Sequence, residues 1–107
     1  MFNVNKCYFD NFSKGVSTIH GIGIIANKQL VKDQTIGIGI YFFLGYPIVT
    51  NNFGSLINHS FTPNSQLIWK NLRWHVVAYD TINQGEEITV NYNNTPFYIE
   101  NAKSHYK

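Results

Sequence analysis

This chain is poor in charge, almost without cysteine and free of long apolar runs, and each shortage narrows what it can be. Cys7 is the only cysteine among 107 residues, which excludes an internal disulfide framework and a zinc site built on several thiolates. A reducing interior suits such a chain. Charged residues make up 13%, about half the usual share, and the formal net charge is only +2. The lysines and the single arginine are scattered, so the concentrated basic patch of a nucleic-acid binder is missing, and no direct nucleic-acid partner is expected. No run approaches the length that spans a bilayer, and Met1-Phe2-Asn3-Val4-Asn5-Lys6 has neither the charged start nor the apolar stretch of a secretory leader. The expectation is a soluble intracellular protein of the nucleus or cytoplasm, with no membrane partner.

What is present is apolar and aromatic. Hydrophobic residues reach 44% and aromatics 16%, enough for one core in a chain near the lower size limit for independent folding. A single domain over 1–107 is expected, with no room for a separate cofactor domain. With so few charges, the surface is expected to be rich in Asn, Ser, Thr and Gln.

Short runs of β-branched and aromatic residues, separated by Gly, Asn and Asp, predict a mostly β fold. Strands are expected at Gly23 to Ala26, Thr35 to Leu44, Gln66 to Trp69, Trp74 to Tyr79 and Glu87 to Tyr92. In the second, Ile36, Ile38, Ile40, Phe42 and Leu44 share one face by period two, and that face is expected to be core. Trp69-Lys70-Asn71-Leu72-Arg73-Trp74 predicts a hairpin with its polar tip at Lys70 and Asn71. The segments Tyr46 to Phe53 and Asn93 to Lys107, interrupted by Pro47 and Pro96, carry the least pattern. Ala26, Leu30 and Ile36 recur 52 positions later as Ala78, Ile82 and Ile88. The polar turns Val31-Lys32-Asp33-Gln34 and Asn83-Gln84-Gly85-Glu86 sit at matching places, so both copies read strand, turn, strand.

Three stretches could carry chemistry. His20-Gly21-Ile22-Gly23 precedes a strand and lets backbone approach a ligand closely; on its own it equally suits a tight turn. It lacks the third glycine and the helix of a dinucleotide fingerprint. Leu56-Ile57-Asn58-His59-Ser60-Phe61-Thr62-Pro63-Asn64 concentrates two amides, an imidazole and two hydroxyls, which read singly as turn residues and a satisfied histidine. Gly85-Glu86-Glu87-Ile88-Thr89-Val90-Asn91-Tyr92 is a turn entering a strand, with Ile88, Val90 and Tyr92 facing the core and Glu87, Thr89 and Asn91 opposite. Tyr92 alone would be an amphipathic cap on that core.

Taken in order, the three stretches resemble the SET domain, whose pattern is Gly-x-Gly, then Asn-His-Ser-x-x-Pro-Asn, then Gly-Glu-Glu-Leu/Ile-Thr ending in Tyr. The resemblance covers roughly 15–98, leaving 99–107 as a tail. It implies small curved β-sheets with a C-terminal pseudoknot that brings Tyr92 to Asn58 and His59. It implies protein-lysine N-methyltransferase activity with S-adenosylmethionine as methyl donor and a protein or peptide lysine as substrate, a histone tail in chromatin being one such. His20, Gly21, Ile22, Gly23, Asn58 and His59 would hold the cofactor, and Tyr92 would be the catalytic tyrosine.

Departures from the pattern bear mostly on the substrate side. Between Gly45 and Gly54 the family's longer insert is reduced to a short loop, and Ser55-Leu56 stands in place of Arg-Phe. No cysteine follows Tyr92 to close the site with zinc; Phe97 and Tyr98 could cover the substrate channel or the cofactor, or anchor the tail. His75 and His105 lack partner ligands at metal spacing, so no metal is assigned. A homodimer that completes the peptide site is a further expectation. A SET-fold binding module without catalysis and an unrelated β interaction domain are the alternatives.

Overall fold

The computed structural model of the chain describes residues 5–51 and 53–94. Their strands are β1 (Phe12–Val16), β2 (Ile22–Ala26), β3 (Thr35–Phe43), β4 (Tyr46–Val49), β5 (Asn58–His59), β6 (Ser65–Lys70), β7 (Arg73–Ala78) and β8 (Thr89–Val90). Helical geometry among the described residues is confined to 3-10 turns at Lys6–Asn11, Gly54–Leu56 and Tyr92–Asn94. Strands β1 and β2 form an antiparallel pair, and β4-β3-β7-β6 form one antiparallel sheet. β5 and β8 pair in parallel. The expected mostly β architecture of small sheets is what forms, and no described helix is long and apolar enough to cross a membrane.

Several local expectations need correction. Ile36, Ile38 and Ile40 are buried, but Phe42 is 38% and Leu44 82% exposed, because β3 outruns the core and its end forms a projecting hairpin with β4. That hairpin also puts a strand at Tyr46–Val49, where little pattern was visible, and β1 was likewise unforeseen. The β6–β7 turn sits at Asn71-Leu72, with both φ values positive (52° and 63°), the geometry of a two-residue hairpin loop whose twist suits the flanking strands. Lys70 belongs to the ladder, paired with Arg73. The expected strand Glu87 to Tyr92 is shorter, with a single bridge from Glu87 to Ile25 and a ladder only over Thr89–Val90 before the chain turns at Tyr92.

The sequence repeat closes the fold. Leu30 and Ile82 exchange both backbone hydrogen bonds, each 2.8 Å. Around them the backbone hydrogen bonds of one turn are mirrored in the other. Gly85 N–H donates to Ala26 O as Asp33 N–H does to Ala78 O, each at 2.8 Å, and Ala26 N–H donates to Glu86 O (2.9 Å) as Ala78 N–H does to Gln34 O (2.8 Å). Each turn is further braced by its own side chain, Gln34 Oε1 accepting from Val31 N–H (3.0 Å) and Glu86 Oε1 from Asn83 N–H (2.6 Å). The two turns are thus related by an approximate two-fold axis through Leu30 and Ile82. The interlock buries Leu30, Ile36, Ile82 and Ile88 completely, and each such side chain contributes roughly 1.5–3 kcal/mol of hydrophobic stabilisation.

Asparagine does unexpected interior work. β4 pairs with β3 only at Ile40–Phe43, leaving the earlier part of that edge without a neighbouring strand. Asn5 fills the gap like a strand fragment, its Nδ2 donating to Ile38 O (3.0 Å) and its Oδ1 accepting Ile38 N–H (2.5 Å), while Asn11 Nδ2 reaches Ile36 O (3.0 Å). Thr50 caps Gly39 O through its backbone N–H (2.9 Å). Buried backbone groups need partners, so Asn5, Asn11 and Thr50 are buried, where the composition suggested a polar surface.

Two substitutions should separate core from turn. Ile82→Ala removes a wholly buried side chain from the interlock and is expected to cost about 2–5 kcal/mol, lowering the melting temperature by about 10 °C or more. Leu72→Gly relieves a left-handed residue that is 76% exposed; it is expected to raise stability by about 0.5 kcal/mol, since strain of about 1–2 kcal/mol outweighs the entropy cost of glycine. Thermal unfolding of the two variants checks both signs.

Candidate functional site

The second and third sequence motifs meet at the parallel pair β5–β8, with Asn58 opposite Thr89 and His59 opposite Val90. Two residues a side make a weak ladder, and the rest of the second motif reinforces it. Ser60 N–H donates to Val90 O at 2.9 Å. Asn64 acts as a surrogate strand, Nδ2 donating to Glu87 O (2.7 Å) and Oδ1 accepting Thr89 N–H (2.9 Å), and Ser65 Oγ donates to Thr89 O (2.6 Å). The spacing of Asn58 and Asn64 thus lets one asparagine sit in the pair while the other clamps its partner strand.

His59 and Tyr92 are joined directly. Tyr92 N–H donates to His59 Nδ1 at 3.0 Å, so Nδ1 is the bare nitrogen and a neutral ring carries its proton on Nε2. The imidazole stands edge-on to Phe61 at 4.4 Å between centroids and lies 5.0 Å from the Tyr92 ring. Tyr92 packs on the core, and its hydroxyl donates to Ile57 O at 2.9 Å. Beyond Phe61 lies an open cleft of about 540 Å³, lined by Phe61, Thr62, Gln66, Tyr79 and Asn91 among others; it borders this centre without including Asn58, His59 or Tyr92.

The first motif arrives from the other side of Asn58. Asn58, 4% exposed, donates from Nδ2 to His20 O (3.1 Å), Glu87 Oε2 (2.9 Å) and Ser17 Oγ (3.0 Å). The Ser17 hydroxyl donates to the Glu87 carboxylate (2.8 and 2.9 Å) and accepts Ile19 N–H (2.8 Å) and His20 N–H (3.0 Å). Gly21 has a positive φ of 52° and open space where a Cβ would stand, so that stretch of backbone is approachable. Gly23 is glycine for an internal reason: a Cβ there would overlap the Glu87 carboxylate.

His20, Gly21, Ile22, Gly23, Asn58, His59 and Tyr92 are therefore brought into one neighbourhood, through the His20–Asn58 and His59–Tyr92 hydrogen bonds. Phe97 and Tyr98 lie outside the described residues. Reading the sequence missed Ser17 and the part played by Glu87. Alternation placed Glu87 away from the core with Thr89, which was a usable signal; Ser17 had none beyond preceding the glycine pair.

Against this geometry, the family model described as SET domain matches residues 38–93. No curated protein matches the chain in sequence. Among 135 solved chains that match in structure is a Plasmodium falciparum protein described as a candidate histone methyltransferase. It is 22% identical, with a TM-score of 0.63, the match covering 82% of this chain and 97% of that one.

The Tyr92–His59 bond predicts a single imidazole tautomer. Nitrogen-15 NMR of the neutral imidazole is expected to show His59 protonated at Nε2 and bare at Nδ1; a signal from the Nδ1–H form would mean that the bond does not hold Tyr92.

Proposed function

The chain belongs to the SET-domain family, a family of lysine methyltransferases, and from that premise we propose that it transfers a methyl group from S-adenosylmethionine to a lysine side chain of a protein. The observation that carries the reading is the convergence of three separated motifs on Asn58, His59 and Tyr92. Two features fit the proposed cofactor. Backbone at Gly21 is open to a ligand, and among the described residues Asn58 Oδ1 accepts no hydrogen bond, which leaves a buried amide with one acceptor to offer.

When bound, the cofactor would supply a methyl group on a sulfonium, an electrophile for a neutral amine. A lysine amine in water, with a pKa of about 10.4, is charged at neutral pH. Burial beside a positive centre lowers that value, so a strong dedicated base is not required. Tyr92 fits an orienting part. Its hydroxyl donates to Ile57 O, which fixes where the phenol oxygen stands. His59 holds the Tyr92 backbone by a separate bond, which limits the positions that oxygen can take. Such a contribution is one of alignment. The Plasmodium structural neighbour is described as a candidate histone methyltransferase, which makes a histone tail the first substrate to try.

Calorimetric titration with S-adenosylmethionine is expected to show saturable binding. Tyr92→Phe is expected to lower methyl transfer about a hundredfold while leaving that affinity in place. Absence of cofactor binding at millimolar ligand would sink the proposal. Binding without transfer to histones or pooled peptides would select a non-catalytic module instead.

A further inference from the structure

The hydrogen bonds around Asn58 admit one orientation of its amide. Two neighbours of Nδ2, the His20 carbonyl and the Glu87 carboxylate, can only accept, so they require the NH₂ side of the amide and would repel Oδ1. Ser17 completes the set: its one proton goes to Glu87, so its oxygen also faces Nδ2 as an acceptor. Oδ1 is thereby turned away from all three.

The same carboxylate sets the loop. Ser17 links it to the backbone N–H groups of Ile19 and His20, and Ser17 N–H donates to Gly21 O at 2.8 Å, closing the loop on itself. Gly23 follows, glycine because Glu87 occupies the space a Cβ would need. One carboxylate therefore acts with the His20 carbonyl on how the Asn58 amide is turned, and through Ser17 on where the backbone from His20 to Gly23 stands relative to it.

We propose that Glu87 and Ser17 are positioning residues of the methyl-donor site, holding Asn58 Oδ1 as a hydrogen-bond acceptor for the amino-acid end of the ligand, beside the approachable backbone at Gly21. The inference rests on the methyltransferase reading above and deepens it. It assigns to a carboxylate that does not itself need to touch the ligand the selection of a group that donates hydrogen bonds, such as a protonated amine. Glu87→Met is close in length but carries no oxygen to accept these hydrogen bonds. Asn58 Nδ2 and the Ser17 hydroxyl then lose Oε2, the oxygen that accepts from both, and the Asn58 amide loses one of the acceptors that set its sense.

The test uses two ligands that share a thioadenosine part, S-adenosylhomocysteine, which carries the amino acid, and 5′-methylthioadenosine, which lacks it. Both are titrated into the wild-type chain and into Glu87→Met and Ser17→Ala, with melting temperatures measured alongside. Each variant is expected to weaken S-adenosylhomocysteine about tenfold, the scale of one lost hydrogen bond to a charged group, and to leave 5′-methylthioadenosine within about twofold. Equal weakening of both ligands in step with a lowered melting temperature would reduce the cluster to a structural role. Unchanged S-adenosylhomocysteine affinity in folded variants would also overturn the proposal. A wild-type chain that binds neither ligand defeats the methyltransferase reading itself, whereas one that binds S-adenosylhomocysteine and shares its affinity with both variants defeats only the positioning role.

Discussion

The paired hydrogen bonds between Leu30 and Ile82 are the constraint on which the rest of the structure depends. Neither turn could bury its own apolar residues. Placed about a shared axis, each covers the other, and the strands leading in and out are thrown to opposite sides: β2 and β3 from one turn, β7 and β8 from the other. This arrangement decides where the site forms. β8 emerges from the second turn beside β2, with Ile88 N–H donating to Ile24 O at 2.8 Å, and from there meets β5.

A chain this small has little room for regular sheet, so many backbone groups must find partners elsewhere. Asparagine side chains supply them, since one amide offers a donor and an acceptor with nearly the spacing of a peptide group. Asn5 serves β3 in this way and Asn64 serves β8. Among the described residues no fully buried side-chain polar atom lacks a partner, so the buried amides that serve the backbone are themselves satisfied. It also gives the low charge content a structural reading, because neutral amides satisfy buried backbone without the desolvation cost of burying an ion.

The sequence made the core and the motifs legible more readily than the contacts that unite them. Ile36, Ile88 and Val90 could be placed inside by alternation alone, and the 52-residue echo marked the two turns that interlock. Nothing local revealed that the echo was a contact, because a repeat shows similarity and not proximity. Phe42 and Leu44 failed because alternation tells which face a residue is on and not where the core beneath that face stops. β1 and β4 failed because Lys14, Gly15 and Pro47 dilute the β signal, and both strands are specified by the partners they meet. At the site, Asn58, His59 and Tyr92 were legible as motif residues, whereas Ser17, forty-one positions from Asn58, has meaning only once the chain has folded.

Glu87 joins these levels. Its backbone bridges Ile25 in β2 and accepts from Asn64, while its side chain binds Ser17 and Asn58. Strand pairing, the motif clamp and the approachable loop therefore share a single residue. Backbone contacts at such a node tolerate a change of side chain, but the carboxylate contacts do not, since its neighbours present only donors to it. The fold thus dictates where Glu87 stands, and its carboxylate oxygen, together with the His20 carbonyl, sets which way the Asn58 amide faces. Stability and site geometry meet in one residue yet rest on different atoms of it, so a near-isosteric change of the side chain can disturb the second while leaving the first largely intact.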